Sequence, residues 1–130
     1  MAGHNLKILL VEDSKAIRAD LLATLVKYGA DVTQAENGAA GWLLLQDLKR
    51  NNKKLPDVII SDINMPEMSG LQLLEKVRND SSCKKLPFII LTSNKEELLK
   101  MTALCLDVTA FYIKPPNTAQ LYTQLDKLRA

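Results

Sequence analysis

The chain is poor in the features that mark secreted, membrane-embedded or nucleic-acid-binding proteins. Two cysteines in 130 residues, Cys83 and Cys105, are too few for a disulfide framework. The N-terminus also lacks the basic start and apolar stretch of a secretory signal. A reducing, cytoplasmic setting is therefore expected. No apolar run approaches the roughly 18 residues of a membrane span, so no membrane association is expected. Charge of one sign is lacking too: 17 basic residues against 15 acidic leave +2, too balanced for the broad positive field of a nucleic-acid groove. Direct nucleic-acid binding is not expected. The only histidine, His4, falls in a short N-terminal tail, residues 1–5, expected to be flexible and poorly placed for phosphotransfer.

What is present is globular. Hydrophobic residues at 47% and charged ones at 25% exclude a disordered or low-complexity chain and point to one domain over residues 1–130. Three short apolar blocks, Ile8-Leu9-Leu10-Val11, Val58-Ile59-Ile60 and Phe88-Ile89-Ile90-Leu91, are too short for helices and too uniformly apolar for a half-wet sheet. They read as strands covered on both faces, over 7–11, 57–61 and 87–91. Segments 31–36 and 108–113 carry Thr33, Gln34 and Thr109 within the run and read as edge strands.

Helical patterns separate them. Ser14 is placed to cap a helix carrying Ile17, Leu21, Leu22 and Leu25, which Gly29 ends. Asn37-Gly38 opens a second, with Leu44, Leu45 and Leu48, and Gly70 a third, with Leu71, Leu74 and Val77. Residues 95–106 form a fourth, and Asn117 caps a fifth with a Leu121, Leu125, Leu128 stripe. Five strand–helix units imply an α/β fold, a doubly wound five-stranded parallel sheet of order 2-1-3-4-5 with helices on both faces. In such a flavodoxin-like sheet, ligands sit at the carboxyl ends of the strands near the reversal between strands 1 and 3.

That edge collects chemistry. Glu12 and Asp13 end strand 1, Asp62 ends strand 3, Thr92 ends strand 4 and Lys114 ends strand 5. Three carboxylates in one crevice repel one another unless a proton or cation is held between them. Mg²⁺, which prefers oxygen ligands and takes one or two carboxylates beside phosphate oxygens, suits the set. A carboxylate can also attack phosphorus to form an aspartyl phosphate. Three carboxylates, Mg²⁺ and Lys114 sum to zero before transfer, and to about minus one once Asp62 carries a phosphoryl group of about minus two. Thr92 and the backbone N–H groups after Asp62 supply donors for phosphoryl oxygens.

Four segments in order, LLVEDS at 9–14, SDINMPEMSG at 61–70, ILTS at 90–93 and FYIKPP at 111–116, resemble the response-regulator receiver domain of two-component signalling. The resemblance spans nearly the whole chain. It implies that Asp62 takes a phosphoryl group from a phosphohistidine of a sensor histidine kinase or histidine phosphotransfer protein. It implies Mg²⁺ held by Asp13 and Asp62, by Glu12 mainly through water, and by the Asn64 backbone carbonyl. Lys114 would contact the phosphoryl group, with a cis bond to Pro115. Thr92 and Phe111 would form the switch pair, although Phe111 lacks the hydroxyl of the commoner Tyr. Asn64 and Asn94 match positions beside the path of the attacking water. The expected output is altered binding to a partner, its identity open, through the surface from strand 4 to helix 5, without turnover of a substrate. Both a stand-alone regulator and a receiver domain of a longer protein fit this reading.

Other readings compete. A haloacid-dehalogenase-type phosphatase uses similar residues, but its nucleophile ends the first strand and a second Asp follows two places on, where this chain has Asn64. A flavodoxin-like FMN binder needs a hydroxyl- or glycine-rich loop after strand 1, where Glu12-Asp13 would repel phosphate. An interaction domain that is never phosphorylated would have no use for the full residue set. Elsewhere, Leu98, Leu99, Met101, Leu104, Cys105 and Leu106 exceed what one core face needs, leaving a surface for a partner or for a homodimer through helix 4, strand 5 and helix 5. Trp42 reads as core, with at least one of its leucine neighbours turned outward. Lys49, Arg50, Lys53 and Lys54 read as a solvated basic face at the end opposite the acidic crevice. Cys83 and Cys105 read as plain thiols.

Overall fold

The computed structural model describes residues 5–129. Residues 1–4, with His4 and most of the expected tail, lie outside the described residues; Leu6 is buried. The elements alternate as expected: β1 Lys7–Val11, α1 Lys15–Tyr28, β2 Asp31–Ala35, α2 Gly38–Arg50, β3 Val58–Ser61, α3 Gly70–Arg78, β4 Phe88–Thr92, α4 Glu97–Cys105, β5 Ala110–Ile113 and α5 Thr118–Arg129. All pairings are parallel, in the order β2-β1-β3-β4-β5.

Strand periodicity divides the apolar residues between two cores. Ile8, Leu10, Val58, Ile60, Ile89 and Leu91 face α1 and α5, where they meet Leu21, Leu25, Leu121 and Leu125. Leu9, Val11, Ile59, Phe88 and Ile90 face the other way, onto Leu45, the α3 residues Leu73, Leu74 and Val77, and Ala103 of α4. Successive strand side chains point to opposite faces, so one unbroken apolar block furnishes both layers. The edges behave differently: three of five β2 residues are exposed, and no β5 residue is fully buried.

Helix starts follow the local signals. The Ser14 hydroxyl accepts from the Ile17 N–H, Asn37 from Ala40 and Asn117 from Gln120. Ser69 closes a reciprocal capping box with Gln72 ahead of α3. Gly29 ends α1 at a φ of 101°, in the left-handed region that glycine enters without a Cβ clash. Helix α4 begins two residues later than its pattern implies, because the Asn94 side chain accepts from the Glu96 N–H and holds the chain in a turn.

One expectation needs correction. Lys49 is not merely solvated: its ammonium lies 2.6 Å from Asp80, tying α2 to the segment after α3 and holding the Asp80 carboxyl below its ordinary pKa. The connector over 79–86 is likewise built structure. Asp80 accepts from the Ser82 and Cys83 N–H groups, while the Arg78 guanidinium donates to the carbonyls of Lys84, Leu86 and Asp107. Cys83 is buried there, and burial pushes its thiol up to about 11, out of the reactive range. Among the described residues, no helix is long and apolar enough to cross a membrane.

Adjacent leucines on α2 test the two-layer packing. Leu45 is fully buried and Leu43 is 61% exposed. Leu45→Ala is expected to cost about 2–5 kcal/mol of unfolding free energy and Leu43→Ala less than about 0.5 kcal/mol, measured by urea denaturation.

Candidate functional site

Register carries the distant acidic residues to one place. Val11 pairs with Ser61 across β1 and β3, so Glu12 and Asp62 leave their strands side by side. Thr92 pairs with Ile113, and the Lys114 N–H donates to the Thr92 carbonyl at 2.9 Å, which sets Lys114 at the same edge. One carboxylate oxygen from each of Glu12, Asp13 and Asp62 lies within 4.8 Å of the other two. The Lys114 Nζ donates to Asp62 Oδ2 at 3.0 Å and also to Glu12 Oε1. The Lys114–Pro115 peptide is cis, as the resemblance implied.

Each acid has a different setting. Glu12 is almost fully buried; its second oxygen accepts from the Ser14 N–H at 3.1 Å, and its carbonyl accepts from Arg18 Nη1 at 2.7 Å. Burial holds the Glu12 carboxyl above its ordinary pKa, with the Lys114 hydrogen bond pulling the other way. Asp13 is exposed and opens the cluster to solvent. Asp62 is 8% exposed, and its Oδ1 accepts from the Ile63 N–H at 2.6 Å.

The remaining expected residues surround this core unequally. Thr92 is fully buried, and its hydroxyl accepts from the Asn94 N–H at 3.1 Å. Asn94 thus meets Thr92 through its backbone N–H, while its amide oxygen accepts from the Glu96 N–H. Asn64 is exposed in the loop after Asp62. Phe111 is half-buried and packs on the α4-side core, two residue pairs below the Thr92–Ile113 pair.

Three supporting roles escaped the sequence reading. The Ser61 hydroxyl donates to the Asp62 carbonyl at 2.8 Å, and the Arg18 contact steadies the Glu12 backbone. Gly70 has the sharper role: a Cβ there would lie 1.9 Å from the Asp62 carbonyl oxygen, and its N–H donates to the Ile63 carbonyl at 2.9 Å. Only glycine lets the start of α3 come this close to the loop that carries Asp62. Its sequence signal was present, a glycine directly after the helix-capping Ser69.

The donor set fits a hard divalent cation. It offers oxygen alone, includes one solvent-facing carboxylate, and carries a formal charge of −3 from the acids and +1 from Lys114. A sequence profile described as the response regulator receiver domain matches residues 8–126. The chain belongs to this family. The chemotaxis protein CheY1 of Helicobacter pylori is 40% identical over 122 residues, covering 93% of this chain and 94% of that protein. Among solved structures, chemotaxis protein CheY4 of Vibrio cholerae aligns with a TM-score of 0.80 at 31% identity, covering 96% of this chain and 99% of that one. The phosphorylated cyanobacterial phytochrome response regulator RcpA aligns with a TM-score of 0.80 at 25% identity, covering 96% and 91%. The protein is therefore a CheY-type receiver domain of two-component signalling, a family that generally uses Mg²⁺ and whose membership implies a sensor kinase partner.

Two outcomes test this geometry. Gly70→Ala is expected to cost about 1–3 kcal/mol by urea denaturation, since backbone must move to admit the methyl group. For Glu12, a raised pKa means that ionisation is disfavoured in the folded state. Its contribution to stability is full below the ordinary value of 4.5 and is lost as the pH rises through the raised value. In buffer free of divalent ions, Glu12→Gln should therefore gain stability relative to wild type as the pH climbs from 4.5 towards neutrality. A constant difference across that range would refute the assignment.

Proposed function

We propose that this receiver domain accepts a phosphoryl group on Asp62 from a phosphohistidine and uses the resulting charge to change its affinity for a partner. The observation that carries the reading is the bonding of Asp62: an almost buried carboxylate with one oxygen on Lys114 and the other on the Ile63 N–H, beside two further acids. A related regulator whose solved structure is phosphorylated supports it.

In the transfer, an Asp62 carboxylate oxygen forms a bond to phosphorus while the P–N bond of the donor phosphohistidine breaks, and the leaving imidazole takes up a proton. Lys114, already in contact with Asp62, stabilises negative charge on the transferring group. The Asp62 backbone is held by the Ser61 hydroxyl and the close approach of Gly70, so the acceptor is positioned before the donor arrives. Asp13, Asp62 and the Asn64 carbonyl would hold Mg²⁺, with Glu12 acting mainly through water. The ion, when bound, neutralises the acids and the phosphoryl oxygens.

Phosphorylation then biases an existing equilibrium instead of driving catalytic turnover. Thr92 and Phe111 are the residues assigned to the switch, with Asn64 and Asn94 bordering the route of the hydrolytic water. Leu98, Met101 and Leu104 of α4 and Ile113 of β5 are exposed, which supports an output or homodimer surface along α4, β5 and α5. The domain acts in the cytoplasm, with a sensor kinase or phosphotransfer protein upstream.

Incubation with Mg²⁺ and a small-molecule phosphodonor, followed by intact mass measurement, tests the reading. Wild type is expected to gain the mass of one phosphoryl group, and Asp62→Asn none. A gain that persists in the variant would move the acceptor elsewhere. No gain in either protein would leave only an interaction domain that is never phosphorylated.

A further inference from the structure

A second concave site lies between α2 and α3, outside the acidic edge. It is a cleft of about 540 Å³, within the size range of ligand-binding pockets. Trp42 and Met68 give it apolar surface, and Glu67, Glu75, Lys76 and Asp80 supply its charge. Lys49 neutralises Asp80 at 2.6 Å. Glu67 receives only a neutral donor, the Asn37 amide at 3.3 Å. Two acids, Glu67 and Glu75, are then set against the single ammonium of Lys76.

The position of that ammonium shows what the cleft favours. The Lys76 Nζ stands 5.7 Å from the Trp42 ring centroid, within the range where the negative face of an aromatic ring attracts a cation. The side chain is exposed and belongs to the last turn of α3, so it can swing away without disturbing the core. An arginine would do better in its place, because a planar guanidinium stacks on an indole and pairs with a carboxylate at once. We propose that the α2–α3 cleft binds a cationic segment of a partner protein, an arginine or lysine side chain displacing Lys76 from the Trp42 face between Glu67 and Glu75. This site does not require phosphorylation of Asp62.

The test uses the intact, unphosphorylated protein, and Trp42 is its own probe as the only tryptophan in the chain. The ligand is an acetylated, amidated pentapeptide, Ala-Arg-Leu-Arg-Ala, titrated at low salt with tryptophan emission as the readout. A saturable change is expected, absent with Ala-Glu-Leu-Glu-Ala. Lys76→Met should tighten binding about two- to five-fold, since the competing cation is gone. The double variant Glu67→Gln, Glu75→Gln should weaken it about two-fold or more. Saturation by the acidic peptide, no saturation by the basic one, or affinities unmoved or moved oppositely by these changes would overturn the proposal.

Discussion

Bringing Glu12, Asp13 and Asp62 within 4.8 Å of one another is the electrostatic load around which this domain is arranged. Lys114 answers part of it by bonding to both Glu12 and Asp62. The lysine comes from the far edge strand and the acids from central strands, so this contact links β1, β3 and β5 across the sheet. Parallel strands make such a meeting possible, because all of their carboxyl ends lie on one side. The charge left over makes the cluster receptive to a divalent cation.

The scaffold holds the acids by packing and by backbone contacts more than by charge. Both faces of the central strands are covered, leaving Ile60, Ile89 and Leu91 against one helical layer and Ile59, Phe88 and Ile90 against the other. A close-packed interior resists small displacements. The strand ends, and with them the backbone that carries Glu12 and Asp62, are therefore fixed. The loop after β3 gains its own constraint from Gly70 beneath Asp62 and from Gly38, where a Cβ would sit 2.4 Å from the Met68 carbonyl oxygen. The start of α2 and the start of α3 thus press on the same loop from two sides.

The opposite end of the molecule is organised differently. There Lys49 with Asp80, and Arg78 with three carbonyls, clamp loops by single polar side chains. Helices α1 and α5 are joined in a similar way, by the Tyr28 hydroxyl donating to Asp126 at 2.5 Å and the Tyr122 hydroxyl donating to the Thr24 carbonyl at 2.8 Å. At the acidic edge the corresponding side-chain ties are Lys114 and the Arg18 bond to the Glu12 carbonyl. Helix α4 is held less closely than the others, burying only Ala103 completely and showing Leu98, Met101 and Leu104 to solvent.

Much of this was legible in the amino-acid order. Apolar blocks of three or four residues, helical spacing of leucines, and Ser14, Asn37 and Asn117 at helix starts are local signals, and local geometry obeyed them. The order of residue types, acidic pair, Asp62, Thr92 and Lys114, marked the ends of the right strands. Tertiary structure alone decided which charges would pair. That Lys114 bonds to Glu12 as well as Asp62, that Lys49 finds Asp80, that Gly70 must lack a side chain, and that Lys76 lies over Trp42 all depend on strand register and on the rotation of one helix against another. Periodicity tells which face a residue takes on its own element. It carries no record of which distant side chain will stand opposite, because that is settled only when the layers close.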